Sequence, residues 1–189
     1  MTVRRIALIL AVGDGRCFGT DVAEHYADLD GKTLLARTLV RLSSAIAFDA
    51  IFVLLTPDDS RYRALYGEQD GIVPLYCGGA TRTATVANAL AAVASRCAGD
   101  DWVFVHDAAR PCVPADALRR LVDELADDPV GGLLAIPVAD TLKCEDQATP
   151  ARVLRSKDRS GLWQAQSPQM FRYHVLCDAL ARTEALVRR

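Results

Sequence analysis

Short apolar runs alternate with stretches whose leucines and valines recur at helical spacing, and this alternation predicts the architecture. Ile6 to Val12 is a continuous apolar run, the mark of a strand buried on both faces. Gly13, Asp14 and Gly15 end it. Lys32 to Ala45 carries Leu35, Leu39 and Leu42 on successive turns, which predicts an amphipathic helix. Ile51 to Leu55, Ile72 to Tyr76, Trp102 to His106 and Leu133 to Val138 repeat the strand pattern. Between these strands, the turn Thr56-Pro57-Asp58-Asp59 leads into a short polar helix near Tyr62 to Tyr66. Thr81 to Arg96 places Val86, Leu90 and Val93 on one stripe, and Pro114 to Ala126 turns Leu118, Leu121, Val122 and Leu125 inward. Val175 to Val187 reads as a final helix. Strand–helix units joined by short connections imply an α/β fold, a mainly parallel sheet with helices on both faces. Ligands in such sheets bind at the carboxyl ends of the strands.

Asp140 to Ser167 departs from this rhythm. The stretch is polar, holds Lys143, Arg152, Arg155, Lys157 and Arg159, and is too long for an ordinary connection. With β-like pieces such as Arg152 to Ser156 inside it, an arm leaving the sheet is expected.

Composition narrows the class. A length of 189 residues predicts one domain, 1–189, able to bury a real core. The 51% hydrophobic content excludes a disordered chain. With 22 basic and 24 acidic residues the net charge is −2, which leaves no footprint for nucleic acid or an anionic membrane. No apolar run approaches the ~20 residues that span a bilayer. Met1 to Arg5 leads directly into the first strand without a signal peptide, so a cytoplasmic location is expected. Six cysteines (Cys17, Cys77, Cys97, Cys112, Cys144, Cys177) are scattered without a Cys-x-x-Cys pair, as expected of reduced, partly buried thiols.

Four segments carry candidate chemistry. The loop Leu10 to Gly19 follows a buried strand, and its glycines would let backbone N–H groups approach phosphate oxygens. It lacks a full G-x-G-x-x-G or P-loop spacing, so a plain tight turn remains the other reading. In Val105-His-Asp-Ala-Ala-Arg-Pro111, Asp107 and Arg110 lie just past a strand. A carboxylate there can hold Mg²⁺ between phosphates, and the arginine can clamp an anion; a salt-bridged loop is the alternative. Gly78-Gly79 precedes the helix at Thr81, where Arg82 and Thr85 sit on the first turn. This is an anion site or an ordinary cap made by Thr81. In Asp158 to Gln169, Trp163 is either packing or recognition, and Arg159 either contact or solvated charge.

Taken together, in order and spacing, these segments resemble the 2-C-methyl-D-erythritol 4-phosphate cytidylyltransferase family. The strings VHDAARPC, GGLLAIPVADTLK and DRSGLWQAQSPQMF are specific, and the resemblance runs from residue 3 to about residue 187. It implies a three-layer, Rossmann-like nucleotidyltransferase sheet, mostly parallel, with a protruding β-arm at about 141–161 that pairs with its twin in a homodimer. The implied reaction joins CTP to methylerythritol 4-phosphate with Mg²⁺ and releases pyrophosphate, in isoprenoid precursor biosynthesis. On that pattern Gly13, Gly15 and Arg16 belong to the triphosphate loop. Gly79, Arg82, Thr85 and Ala108 lie at nucleotide positions, and Asp107 at the metal position. Arg110, Thr141, Arg159 and Ser167 fall at sugar-phosphate positions, with Thr141 and Arg159 reaching into the partner's site. His106 reads as structural.

Departures from the pattern are concentrated in the triphosphate region. Where the family has Pro-Ala-Ala-Gly-x-Gly-x-Arg and then Pro-Lys-Gln-Tyr, this chain has Leu10-Ala-Val-Gly-Asp-Gly-Arg-Cys17 and Ala23-Glu-His-Tyr26. Cys17 stands at a transition-state arginine and Glu24 at a transition-state lysine, while Arg16 lies one residue early. Ala80 follows the glycine pair where an acidic residue is common. The chain also ends before the family's last strand and its lysine-bearing loop. Losing one such cation costs on the order of 10³–10⁵ in phosphoryl transfer. The expectation is therefore a cytidylyltransferase of impaired activity; the alternative is an inactive, folded derivative that still dimerises.

Overall fold

The computed structural model describes residues 3–13, 23–146 and 150–187. Its strands are β1 (Arg5–Ala11), β2 (Asp28–Leu29), β3 (Lys32–Thr33), β4 (Ala50–Leu55), β5 (Ile72–Leu75), β6 (Trp102–Asp107), β7 (Gly131–Pro137), β8 (Leu142–Glu145), β9 (Val153–Lys157) and β10 (Trp163–Arg172). The helices are α1 (Leu34–Ala45), α2 (Arg61–Tyr66), α3 (Arg82–Ala92), α4 (Ala115–Glu124) and α5 (Tyr173–Val187). Among the described residues, six strands form the central sheet in the order β5-β4-β1-β6-β10-β7. β5, β4, β1 and β6 run parallel, and β10 lies antiparallel between β6 and β7. No described helix is long and apolar enough to cross a membrane.

Strand alternation produces the three layers. On β1, Ala7, Ile9 and Ala11 face a core shared with Leu35, Leu39 and Leu42 of α1 and Leu118 and Leu121 of α4. Ile6 and Leu8 face the opposite core, built with Val86, Ala89 and Leu90 of α3 and with Leu176 and Leu180 of α5. β4 and β6 alternate in the same way. A strand that buries both faces must be apolar at every position, which is why these runs are continuous. Helix starts are fixed locally: Thr33 caps α1 by accepting from Ala36 N at 3.1 Å, and Thr81 caps α3 by accepting from Ala84 N at 3.0 Å.

β10 is the element that the hydrophobic pattern conceals. Its outer half, Trp163 to Ala165, is exposed, and only Ser167, Pro168 and Met170 are buried. Proline also reads against an interior strand, because it cannot donate to the ladder. Here a register shift between Ala165 and Gln169 accommodates Pro168. The segment expected to be an excursion therefore returns through the middle of the sheet, and this insertion carries Ser167 to the end of β6. The excursion proper is the hairpin β8–β9, in register from Leu142 opposite Lys157, within the expected 141–161. The five described cysteines are unpaired, with Cys112 exposed and the others half-buried.

The β7–β10 pairing depends on Gly131. Its φ is +122°, and an added Cβ would stand 2.2 Å from the Met170 carbonyl oxygen. Gly131→Ala is expected to lower the unfolding free energy by about 3 kcal/mol, through backbone strain plus the displaced strand. Urea denaturation checks this, and a change below about 1 kcal/mol would mean that the strands separate at little cost.

Candidate active site

The carboxyl ends of β1, β4 and β6 open on one edge of the sheet, and a cleft of ≈ 640 Å³ lies there. β1 contributes Leu10, with Val12 and Gly13 beyond it; the segment after β4 contributes Thr56 and Asp58. β6 and the residues after it supply Asp107, Ala108 and Ala109. Gly79, Ala80, Thr81, Arg82 and Thr85 bring in the N-terminus of α3, whose free N–H groups and dipole favour an anion. A 3-10 turn at Glu24–Tyr26 supplies Glu24 and His25 as the remaining wall.

Asp107 is the centre of the arrangement. It closes β6 opposite Leu10 of β1, and its side chain keeps 29% exposure. Oδ2 is 3.0 Å from Arg110 Nε, and Oδ1 is 3.5 Å from Arg82 Nε. Ser167 Oγ lies 3.4 Å from both the backbone N–H and Oδ2 of Asp107, long for a hydrogen bond. One carboxylate thus stands between two guanidiniums from different elements. A second cavity of ≈ 590 Å³ adjoins it, lined by Arg110, Arg120, Leu134, Ile136, Gln166 and Ser167 among others. Ala109 lines both spaces, so the two cavities meet at the Asp107 cluster.

The loop that bears the cluster is pinned from below. Thr38 Oγ1, fully buried on α1, donates to Ala108 O at 2.7 Å, and Ala108 N donates to Leu10 O at 2.9 Å. His106 is fully buried, with Nε2 3.0 Å from Arg110 O. Burial pushes its pKa below the usual histidine range. A neutral ring that ties down the Arg110 backbone agrees with the structural role read from the sequence. Thr38 was not legible as a site residue, since a threonine inside an amphipathic helix carries no signal.

The glycine pair before α3 is shaped by a similar lock. Thr85 is buried, accepts from Gly79 N at 3.0 Å and donates to Thr81 O at 3.0 Å. A Cβ at Gly79 would lie 2.7 Å from the Ala84 Cβ, so this close approach of loop to helix requires glycine. Thr85 therefore sets the loop geometry, and its hydroxyl is already engaged.

His25 is the cleft residue that sequence reasoning passed over. It is 3% exposed, and its Nε2 has no hydrogen-bond partner. Burial lowers its pKa to about 4, only partly offset by Asp59. Tyr26 beside it donates to Asp59 Oδ2 at 2.9 Å.

The structure thus gathers Gly13, Glu24, Gly79, Arg82, Thr85, Asp107 and Ala108 around the first cleft, and Arg110 and Ser167 around the second. Thr141 and Arg159 are exposed on the arm and line neither cavity. Gly15, Arg16 and Cys17 lie outside the described residues.

Comparison with known proteins gives one answer. The family model for IspD, 2-C-methyl-D-erythritol 4-phosphate cytidylyltransferase, matches residues 5–187. The enzyme of that name from Thiobacillus denitrificans is 48% identical over 178 residues, covering 92% of this chain and 76% of its own. Its counterpart from Dechloromonas aromatica is 46% identical over 181 residues, covering 95% and 78%. A crystal structure of a 4-diphosphocytidyl-2C-methyl-D-erythritol synthase superimposes with a TM-score of 0.83 at 36% identity, over 96% of this chain and 80% of the other. The Francisella tularensis cytidylyltransferase gives 0.79 at 35%, over 98% and 81%.

Proposed function

The chain belongs to the 2-C-methyl-D-erythritol 4-phosphate cytidylyltransferase family, nucleotidyltransferases that join CTP to that sugar phosphate in isoprenoid biosynthesis, and from this premise we propose how its residues divide the reaction. The observation that carries the assignment is the Asp107 cluster at the junction of two cavities. CTP occupies the first, with the nucleoside against Gly79, Arg82 and Ala108 and the triphosphate between the N-terminus of α3 and Gly13. Methylerythritol 4-phosphate occupies the second, its phosphate held by Arg110 and Ser167. An oxygen of that phosphate then attacks the α-phosphorus of CTP in line, and pyrophosphate leaves. Both arginines flank the point where negative charge accumulates.

A divalent cation fits this site in one way. Among the described residues no three carboxylate, histidine or cysteine side chains gather into a cage. Asp107 alone, partly exposed between the cavities, suits Mg²⁺, which is held by one or two carboxylates together with substrate phosphates. Asp107 would hold the cation, whose positive charge would offset that of the phosphates, leaving Arg82 and Arg110 for the anions.

The arm supports a homodimer with composite sites. β8 and β9 pair with each other and with no other described strand, while Val153, Leu154 and Trp163 stand 64%, 65% and 62% exposed. Val153 and Leu154 on the thin hairpin, and Trp163 where β10 leaves it, are apolar side chains on a surface to be covered. Thr141 and Arg159, which line neither cavity of their own chain, would then serve the partner's. A cytoplasmic location is part of this reading. No observation favours the inactive alternative. Pyrophosphate release in the presence of CTP, Mg²⁺ and methylerythritol 4-phosphate, and in the absence of none of them, is the expected result; background release at high protein concentration would overturn the reading.

A further inference from the structure

Residues 107–110 line the two cavities between them, so the shape of the site depends on what holds this short segment. Arg110 N donates to Asp107 O at 3.1 Å and closes it into a turn. Three further hydrogen bonds tie the turn to the body of the fold. Ala108 N donates to Leu10 O of β1 at 2.9 Å, His106 Nε2 of β6 lies 3.0 Å from Arg110 O, and Thr38 Oγ1 of α1 donates to Ala108 O at 2.7 Å. Of the three, the Thr38 bond alone comes from a helix, 70 positions away in sequence. Both of its ends are buried, with Thr38 0% and Ala108 1% exposed.

A helical threonine commonly returns its hydroxyl to the carbonyl one turn back. Thr85 in α3 and Thr183 in α5 do so, donating to Thr81 O and Ala179 O, each at 3.0 Å. Thr38 gives its hydroxyl to another element instead. A buried carbonyl oxygen left without a partner is costly, so the turn settles where this bond can form. Leu10 takes the N–H of Ala108 and Thr38 takes its C=O. The peptide groups on both sides of Ala108 are therefore fixed, directly after Asp107.

We propose that Thr38 is a positioning residue for cytidylyl transfer, its bond to Ala108 setting where the Asp107 carboxylate stands relative to the nucleotide. This rests on the reading that CTP occupies the ≈ 640 Å³ cleft and that Asp107 holds the divalent cation. Thr38 lines neither cavity, so it acts only through the turn. A supported group displaced by about 1 Å loses on the order of 10²-fold in rate. Arg110 is held separately, by His106, so the sugar-phosphate side should feel the loss of Thr38 less than the nucleotide side.

Thr38→Val keeps the branched shape and withdraws the donor. Its kcat is expected to fall on the order of 10²-fold. Its affinity for CTP with Mg²⁺, read by titration calorimetry without the sugar phosphate, should fall on the order of 10-fold, the effect of one hydrogen bond. KM for methylerythritol 4-phosphate should stay near that of wild type. Thr38→Ser, which keeps the hydroxyl, should restore kcat and CTP affinity together. Leu42→Val, a change one turn along α1 in the same core, controls for lost stability: it should lower Tm and leave both values unchanged. Thr38→Cys, with a weaker donor of similar size, should fall between Ser and Val in kcat, and it supplies the reading if the Val variant does not fold. Wild-type kcat and CTP affinity in a folded Val or Cys variant would overturn the proposal and leave the cleft assignment standing. So would a Ser variant as slow as Val, or equal losses in Leu42→Val. Failure of wild type to bind CTP would overturn both.

Discussion

Glu24→Lys is expected to raise kcat/KM for cytidylyl transfer by on the order of 10²–10³, near the effect of one well-placed charged donor on a phosphoryl or acyl transition state. Glu24 lies in the 3-10 turn that walls the nucleotide cleft, at the position where the family resemblance places a lysine. It lines, with Asp58 and Asp107, the cleft proposed for the triphosphate. Reversing its sign removes a repulsion and adds an attraction that grows as the leaving pyrophosphate gains charge. The gain should therefore appear more in kcat than in KM. Glu24 is half-buried at the surface of a short turn, so the fold should tolerate the change within about 0.5 kcal/mol. Adding Cys17→Arg should increase the rate again, by more than the product of the two single effects if both groups contact the same phosphate. Steady-state kinetics on the single and double variants decides the matter. A Glu24→Lys protein no faster than wild type would show that position 24 does not address the transition state.

How much of this was legible before the fold was known follows from what each element buries. β1, β4 and β6 lie inside the sheet, so their buried stretches Ile6–Ala11, Ala50–Leu55 and Trp102–Val105 are apolar at every position and the runs announce themselves. α1 and α3 declare one apolar stripe and a threonine cap each. β10 is different. Half of it projects with the arm into solvent, and the buried half contains a serine and a proline. No periodicity marks such a strand, although it supplies Ser167. Asp107 and Arg110 were legible because they sit just past a buried strand, where ligands gather. Their mutual pairing was one of the two readings their spacing allowed; the pairing of Asp107 with Arg82 across the cleft was not legible, because it depends on the distance between β6 and α3. Thr38 and His25 were hidden for a related reason. A single polar residue in an otherwise ordinary segment gains meaning only from what stands opposite it in space.

Asp107→Asn is expected to lower kcat by on the order of 10³, and its other effects identify the cause. Asparagine keeps the shape of the side chain and removes the charge. In wild type the carboxylate neutralises Arg82 and Arg110 at 3.5 Å and 3.0 Å, so neither guanidinium is fully available to an anion until something else takes the carboxylate. Removal of the charge releases both. CTP should then bind more tightly without Mg²⁺ than it does to wild type, because two unpaired cations face the cleft. The stimulation of CTP binding by Mg²⁺ should shrink, because the protein's contribution to holding the cation has gone. A structural lesion would weaken nucleotide binding with and without metal, and a lost base would shift the pH profile alone. Calorimetry with CTP, with and without Mg²⁺, beside kcat for the same protein, separates these cases. Arg110→Ala supplies the contrast, since its loss should raise KM for the sugar phosphate and leave the affinity for CTP nearly unchanged. An Asp107→Asn enzyme retaining a tenth of wild-type kcat, with its Mg²⁺ dependence intact, would place the metal and the chemistry elsewhere in the cleft.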